Sequence, residues 1–415
     1  MPHTNTPESA LSQEFAQPPH SDPRRPLTLR NGSATFVIAL ASLMMANLAP
    51  FVMTALGRLG FDVISSGNIL TWALLASAII GLGTSRLAAG KHRRNLATTG
   101  LFIATAAFAV ATFSPTPGVV VAGLILGGAG IGAAISTSGA ALAALRNPNR
   151  ISAASGLVNR VLIAIILGII PIFGIAQTSV FGSLALLSLI ALLLAQWLPD
   201  APSHAEPVDV TTSLSIAAPR KITLAGIAIL IVFPVWGASE DAIWTMAPVL
   251  GEAVGLGEQP LGFALSLAAA GGVLGMLTVT IFGERIGRAL PLSIALVIGG
   301  ALKITVGFVD DPTVFATLII AINTIYAFSF ALFIAAAAGL DARGRWSGPL
   351  IGAYLIGSSF APLLGGWLIE LVGAGTFTLI AGLVSFIAIA PTNAIARVSV
   401  GAEKALARAS ERPSY

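Results

Sequence analysis

Twelve runs of about twenty apolar residues, separated by short polar loops, limit this chain more than any other feature. They lie at 34–57, 66–88, 95–114, 118–144, 151–175, 179–197, 222–250, 261–283, 289–309, 314–339, 347–371 and 376–395. A helix needs about 20 apolar residues to cross a hydrocarbon core of about 30 Å. Inside that core only helices and closed barrels satisfy their own backbone polar groups. Of the 415 residues, 55% are hydrophobic and 10% charged, against roughly 25% charged in a soluble domain. The expected fold class is therefore all-α integral membrane, with twelve transmembrane helices.

The runs fall into two sixes. The segment Leu145-Arg146-Asn147-Pro148-Asn149-Arg150-Ile151-Ser152 aligns without a gap on Leu340-Asp341-Ala342-Arg343-Gly344-Arg345-Trp346-Ser347, 195 positions later. The same offset carries Arg93 in AGKHRR (89–94) onto Arg288 in GERIGR (283–288). One offset at two separate places implies two copies of one six-helix unit, as in membrane proteins built from internal repeats. The long polar segment 198–221, with its prolines and charges, is the expected linker between them. The expected organisation is a disordered tail over 1–32, bundles at 33–197 and 222–396, and a second tail over 397–415.

Charge placement orients the bundles. With the N-terminus inside, nineteen of the 22 Lys and Arg fall in inner tails and loops, and the outer loops carry Asp62, Glu252, Glu258, Asp310 and Asp311. The exceptions are Arg58, in the first outer loop, and Arg160 and Lys303, inside spans. By the positive-inside rule both termini are expected in the cytoplasm, in a cell membrane. The net charge of +4 is thus a matter of topology, and no nucleic-acid partner is implied. There are no cysteines, and the four histidines (His3, His20, His92, His204) stand apart in tails or loops, so no metal, thiolate or disulfide site is expected. The polar start of the chain holds no apolar h-region, so no cleaved signal peptide is expected.

An ionisable side chain within a span costs several kcal/mol and marks a functional hypothesis. Glu240 and Asp241 lie in span 7, where Trp236, Glu240 and Trp244 follow at i, i+4 and i+8 on one helix face. A carboxylate between two indoles could hold an organic cation or take up a proton. Glu240, 18 residues beyond Ile222 and roughly 27 Å along the helix, would also suit an interfacial tryptophan belt near the outer surface. Arg160, ten residues into span 5, is near the midplane, with Asn159 beside it; it could hold an anionic solute or pair with a buried acid. Lys303 in span 9 is expected to snorkel outward to Asp310 and Asp311. Asn47, Ser136, Thr137, Asn323 and Tyr326 are further polar candidates, each also able to serve as a helix–helix hydrogen bond. Span 4 carries the small-residue pairs Gly123/Gly127 and Gly128/Gly132, and span 8 has Gly271/Gly275, all suited to close helix approach.

GERIGR (283–288) resembles motif A of the major facilitator superfamily, acidic-Arg-x-Gly-Arg, with Glu284 as the acid. Gly287 suits the tight turn, while Arg285 and Arg288 hold the loop at the inner face. Asp341 and Arg345 belong to the second conformational loop. The first copy departs from the pattern, with Ala89 where the acid should be and His92 where the glycine should be. Gly357-x3-Ala361-Pro362-x2-Gly365-Gly366 is similar to motif C, which the family places in span 5 and associates with exporters; span 5 here keeps only Pro171-x2-Gly174. The resemblance covers 34 to about 395. It implies two bundles rocking about a central site lined by spans 1, 4, 7 and 10.

The reading is a secondary transporter working by alternating access, not an enzyme, with no cofactor and as a monomer in the lipid bilayer. Its expected partners are a small-molecule substrate and protons. Proton-coupled efflux of amphiphilic or cationic compounds is the first expectation, from the Trp-Glu-Trp face. Carriage of a small anionic metabolite anchored by Arg160 is the second, and a non-transporting receptor or scaffold the third.

Overall fold

The computed structural model describes residues 24–199, 220–340 and 345–410, with backbone alone at 148–149, 283–286 and 405–410. Among these residues it holds eleven helices long and apolar enough to cross a membrane. The last of them turns back at Gly373, whose φ of 80° interrupts Ala361–Ser410, and this makes twelve spans.

In chain order α1 combines Leu29–Asn47 with Ala49–Arg58, bent at Leu48 just ahead of Pro50. It is followed by α2 (Val63–Gly83), α3 (Arg93–Phe113), α4 (Pro117–Ala143), α5 (Pro148–Ile169) and α6 (Gln177–Leu194). The second bundle has α7 (Arg220–Ala253), α8 (Glu258–Ile286), α9 (Ala289–Val306) and α10 (Pro312–Ala338). Then come α11 (Ser347–Ser359, continued over 361–372) and α12 (374–410). The offset of 195 recurs in the helix ends: α2 and α8 start at 63 and 258, and α4 and α10 both run for 27 residues from a proline.

Two expected tails are shorter than the sequence suggests. The helix of α1 starts at Leu29 because Thr28 and Asn31 close a capping box, and Arg25 pairs with the chain at Ala144 and Arg146. Residues 1–23 and the linker residues 200–219 lie outside the described residues. At the other end α12 runs on to Ser410, through an Ala-, Glu-, Lys- and Arg-rich stretch of strong helix formers. Arg288 fastens this extension by donating to Ser399 Oγ at 3.0 Å and pairing with Glu403 at 2.9 Å. Arg93, its counterpart, does the same work in the first bundle: buried, it donates to the carbonyls of Ala88 and Pro199. The described ends of the chain and the basic loops they pack on share one face, called the basic face below.

Close approach of backbones shapes the first bundle. A Cβ on Gly128 would stand 2.2 Å from the Ala73 carbonyl oxygen of α2, and one on Gly132 would stand 2.4 Å from that of Ser77. Only glycine lets α4 lie so near α2. Gly275 of α8 likewise faces the Thr324 carbonyl of α10. The small-residue pairs are packing devices, as their spacing suggests.

The bundles meet through α1 with α7, α2 with α11 and α5 with α8. Between described residues four hydrogen bonds cross from one bundle to the other. They are Arg58 to Glu258, Trp244 Nε1 to the Asn47 carbonyl, Ser266 to the Ala164 carbonyl, and Leu363 N to Thr71 Oγ1. All four lie in the half of the molecule away from the basic face.

Candidate functional site

Between the bundles lies a cavity of about 310 Å³. Its walls come from α1, α2, α5, α7, α8, α10 and α11; no residue of α4 lines it. Ser136 instead bonds Thr84, the residue that caps α2, and Thr137 bonds the Ala134 carbonyl of its own helix.

Most of the charged and polar candidates converge on this cavity. Arg160 and Asn159 reach it from α5, Asn47 from α1, Glu240, Asp241 and Trp244 from α7, and Asn323 and Tyr326 from α10. Glu240 lies inside the molecule because α7 has 34 residues, about 51 Å of helix at 1.5 Å each. Both ends therefore overrun the hydrocarbon core, and Glu240, well inside the helix rather than near its end, falls deep. The interfacial-belt alternative does not apply.

The carboxylates are held in different ways. Asp241 Oδ2 accepts from Tyr354 at 2.7 Å and from Ser358 at 2.5 Å, both on α11. The Tyr354 hydroxyl is in turn 2.6 Å from that of Tyr326. Glu240 turns away from these groups to meet Lys303 Nζ at 2.9 Å, a pair whose side chains are 5% and 0% exposed. This corrects the expectation for Lys303, which does not snorkel toward Asp310 and Asp311. The residue falls on the buried stripe of α9, in step with Leu292, Leu296, Gly299 and Gly300, and the stripe points it inward. Asp311 is spent as the cap of α10, accepting from Thr313 N and Val314 N.

Nor does the Trp-Glu-Trp face make a cage. Trp236 is buried outside the cavity, in an aromatic cluster with Phe233, Tyr326 and Phe333 at centroid distances of 5.0–6.1 Å. Trp244 spends its N–H on Asn47, and Glu240 is taken by Lys303.

Arg160 is in the opposite situation. It lines the cavity, yet among the described residues it has no hydrogen bond and no ion pair within 4.0 Å. Its Nη1 and the Asn323 Oδ1 both come within 3.5 Å of the place a Cβ on Gly272 would occupy, so they are near neighbours. The Oδ1 atoms of Asn159 and Asn323 are buried without a hydrogen-bond partner. Buried polar atoms are rarely left so, and here three polar groups are gathered without mutual satisfaction.

Sequence reasoning missed Tyr354 and Ser358. A signal was present: 195 positions before them stand Asn159 and Ile163, which also line the cavity. Of the conformational-loop residues, Gly287 takes φ 72° at the turn out of α8, a value that favours glycine. Arg345 lies over the Trp346 ring at 4.8 Å. The side chains of Glu284 and Arg285, and the whole of Asp341, lie outside the described residues. The motif C residues of α11 serve crossings, with Gly357 on Pro234, Gly365 on Met246 and Gly366 on Val63.

Two pseudo-equivalent membrane bundles enclosing one central cavity define a membrane transporter. The Major Facilitator Superfamily pattern matches residues 33–341, and the chain belongs to that family. No curated protein matches the sequence at a significant level. Among solved structures, a D-xylose-proton symporter is similar with a TM-score of 0.68 at 14% identity, over 87% of this chain and 95% of that one. The nucleoside transporter NupG is similar at 0.66 and 14% identity, over 89% and 99%. The human organic anion transporter MFSD10 (TETRAN) is similar at 0.63 and 16% identity, over 89% and 100%. Likeness at these identities concerns the fold.

Proposed function

We propose that this transporter carries a small anionic organic solute, with Arg160 as its anchor. The observation that carries the reading is a guanidinium in the cavity wall with no ion pair or hydrogen bond of its own among the described residues. A carboxylate or phosphate there would gain charge-assisted hydrogen bonds in a fork geometry. The unpartnered Oδ1 atoms of Asn159 and Asn323 would accept from hydroxyl or amino groups on the same solute. The cationic reading loses its support because Glu240, its carboxylate, already has a cation in Lys303.

The proton-coupling role moves with it to Asp241, the cavity carboxylate without an ion pair among the described residues. By the Lys and Arg bias the basic face is cytoplasmic. The hydrogen bonds on the opposite side then correspond to an inward-facing state of alternating access.

The test is uptake and binding by protein reconstituted in liposomes, across anionic, neutral and cationic solutes of matched size. Arg160→Ala should remove anion transport selectively, and equal loss for all solutes would overturn the assignment. Asp241→Asn should uncouple solute flux from proton movement; coupling that persists would remove Asp241 from that role.

A further inference from the structure

Lys303 belongs to α9, a helix that gives no residue to the cavity wall and packs on α10 and α12. Its Nζ nevertheless reaches Glu240 Oε1 at 2.9 Å and donates to Ser239 Oγ at 3.0 Å. Glu240 is a wall residue, adjacent in sequence to Asp241. One cation from outside the wall therefore acts on a charge within it.

The first bundle shows that this fold closes without such a pair. At the positions 195 residues earlier stand Met45 and Phe108, each fully buried in the same apolar core. A buried ion pair pays heavy desolvation, and an apolar pair of similar volume is often as stable or more so. Packing alone therefore gives no reason for Glu240 and Lys303 where Met45 and Phe108 suffice. Electrostatics does. Around the adjacent carboxylates of Glu240 and Asp241 the charged and titratable groups are Lys303 from α9 and Tyr326 from α10, with Arg160 from α5 and Tyr354 from α11 on the Asp241 side.

We propose that Lys303 is a positioning residue that sets the charge preference of the cavity. It cancels Glu240 and leaves Asp241 as the one uncompensated carboxylate facing Arg160 among the described residues. Without Lys303, at a pH that keeps Glu240 ionised, an arriving anion meets a guanidinium opposed by two carboxylates. In a low-dielectric site one added unit charge at such range changes affinity on the order of tenfold or more. The proposal rests on reading Arg160 as the anion anchor, but its core is a shift of preference by one charge, whichever solute is native.

The experiment measures binding by thermal stabilisation of the purified full-length chain, using carboxylate, amide and amine forms of one carbon skeleton. Lys303→Met should lower the carboxylate-to-amide affinity ratio about tenfold and raise the amine-to-amide ratio. Glu240→Gln, which keeps the lysine, should move both ratios the other way. The double variant Glu240→Gln/Lys303→Met should return them to within about threefold of the wild type. If Lys303→Met fails to fold, Glu240→Gln and the double variant still decide the matter. Ratios unmoved by any variant, or a double variant unlike the wild type, overturn the proposal. A wild type that prefers amines would overturn the Arg160 reading alone, since the shift on Lys303→Met would still be scored.

Discussion

The helices α4 and α10 both begin on a proline, run for 27 residues and lie 195 positions apart, yet they face their neighbours with different chemistry. Where α4 has Gly128 and Ile131, α10 has Asn323 and Tyr326. The glycine admits the backbone of α2, while the asparagine and tyrosine line the cavity. The same contrast holds across the bundles. Met45 and Phe108 answer to Glu240 and Lys303, Ala46 to Asp241, and Ile163 to Ser358. The first bundle gives the cavity one cation and the amides of Asn47 and Asn159, and the second gives it carboxylates, hydroxyls, rings and the amide of Asn323. A duplicated frame has kept its geometry and divided its chemistry: one half is built for close packing and the other for a polar network.

The largest effect on stability should come from splitting the buried pair. Lys303→Met leaves Glu240 buried and uncompensated, which should cost about 3–5 kcal/mol of folding stability. Importing the first bundle's solution, Glu240→Met/Lys303→Phe, should recover most of that loss. Denaturant titration of the detergent-solubilised protein measures both. If the double variant is as unstable as the single one, the two bundles are not interchangeable at this position, and the comparison breaks there.

Next in size is Arg160→Ala, which removes the first bundle's charge from the cavity. Hydrogen bonds to charged groups contribute about 1.5–3 kcal/mol, so anion binding should fall roughly 10- to 150-fold, with the melting temperature little changed. Leu355→Ala, at the matching position of α11, should leave the anion-to-neutral ratio alone. Isothermal calorimetry on both variants sharpens the division of labour between the bundles.

The packing half of the comparison is tested by Gly128→Ala. Its Cβ would stand 2.2 Å from a backbone carbonyl that cannot rotate away, so α4 must move off α2, at about 1–3 kcal/mol. Asn323→Ala, on the equivalent turn of α10, should hardly change stability and should act on solute affinity instead. Thermal melts paired with binding assays distinguish the two. An Asn323→Ala variant that melts early and binds normally would make α10 a packing helix like α4.

Much of this was legible in the sequence because membrane architecture is written in local terms. Length and apolarity give the spans, and one offset gives the repeat. Arg160, Asp241 and Glu240 stood out because ionisable residues inside spans are rare. The partners of those residues were not legible. Lys303 meets Glu240 from 63 positions away, through a contact that only tertiary packing creates, although the buried stripe of α9 already placed it inward. Trp236 illustrates the converse. Helical spacing put it on the face of Glu240, but Phe233 and Phe333 claim its ring for the core. A shared face is necessary for a shared site and does not make one.

The smallest effect should follow Tyr354→Phe, which tests the network half of the comparison at its least conspicuous member. The hydroxyl links Tyr326 to Asp241, and its removal leaves Ser358 as the one donor to Oδ2 among the described residues. A single net hydrogen bond contributes about 0.5–1.5 kcal/mol, so solute affinity should change about two- to tenfold. The ring keeps its place against Phe233 and Phe330 at 5.2 Å, and stability should therefore hold. Asn159, at the matching position of α5, offers a buried Oδ1 with no partner, so Asn159→Ala should cost affinity for solutes bearing a donor and spare those without one. If Tyr354→Phe instead reproduced the full loss of Asp241→Asn in flux measurements, the carboxylate would depend on the tyrosine for its charge state. The polar half of the molecule would then be one cooperative unit, and its members could not be assigned separately.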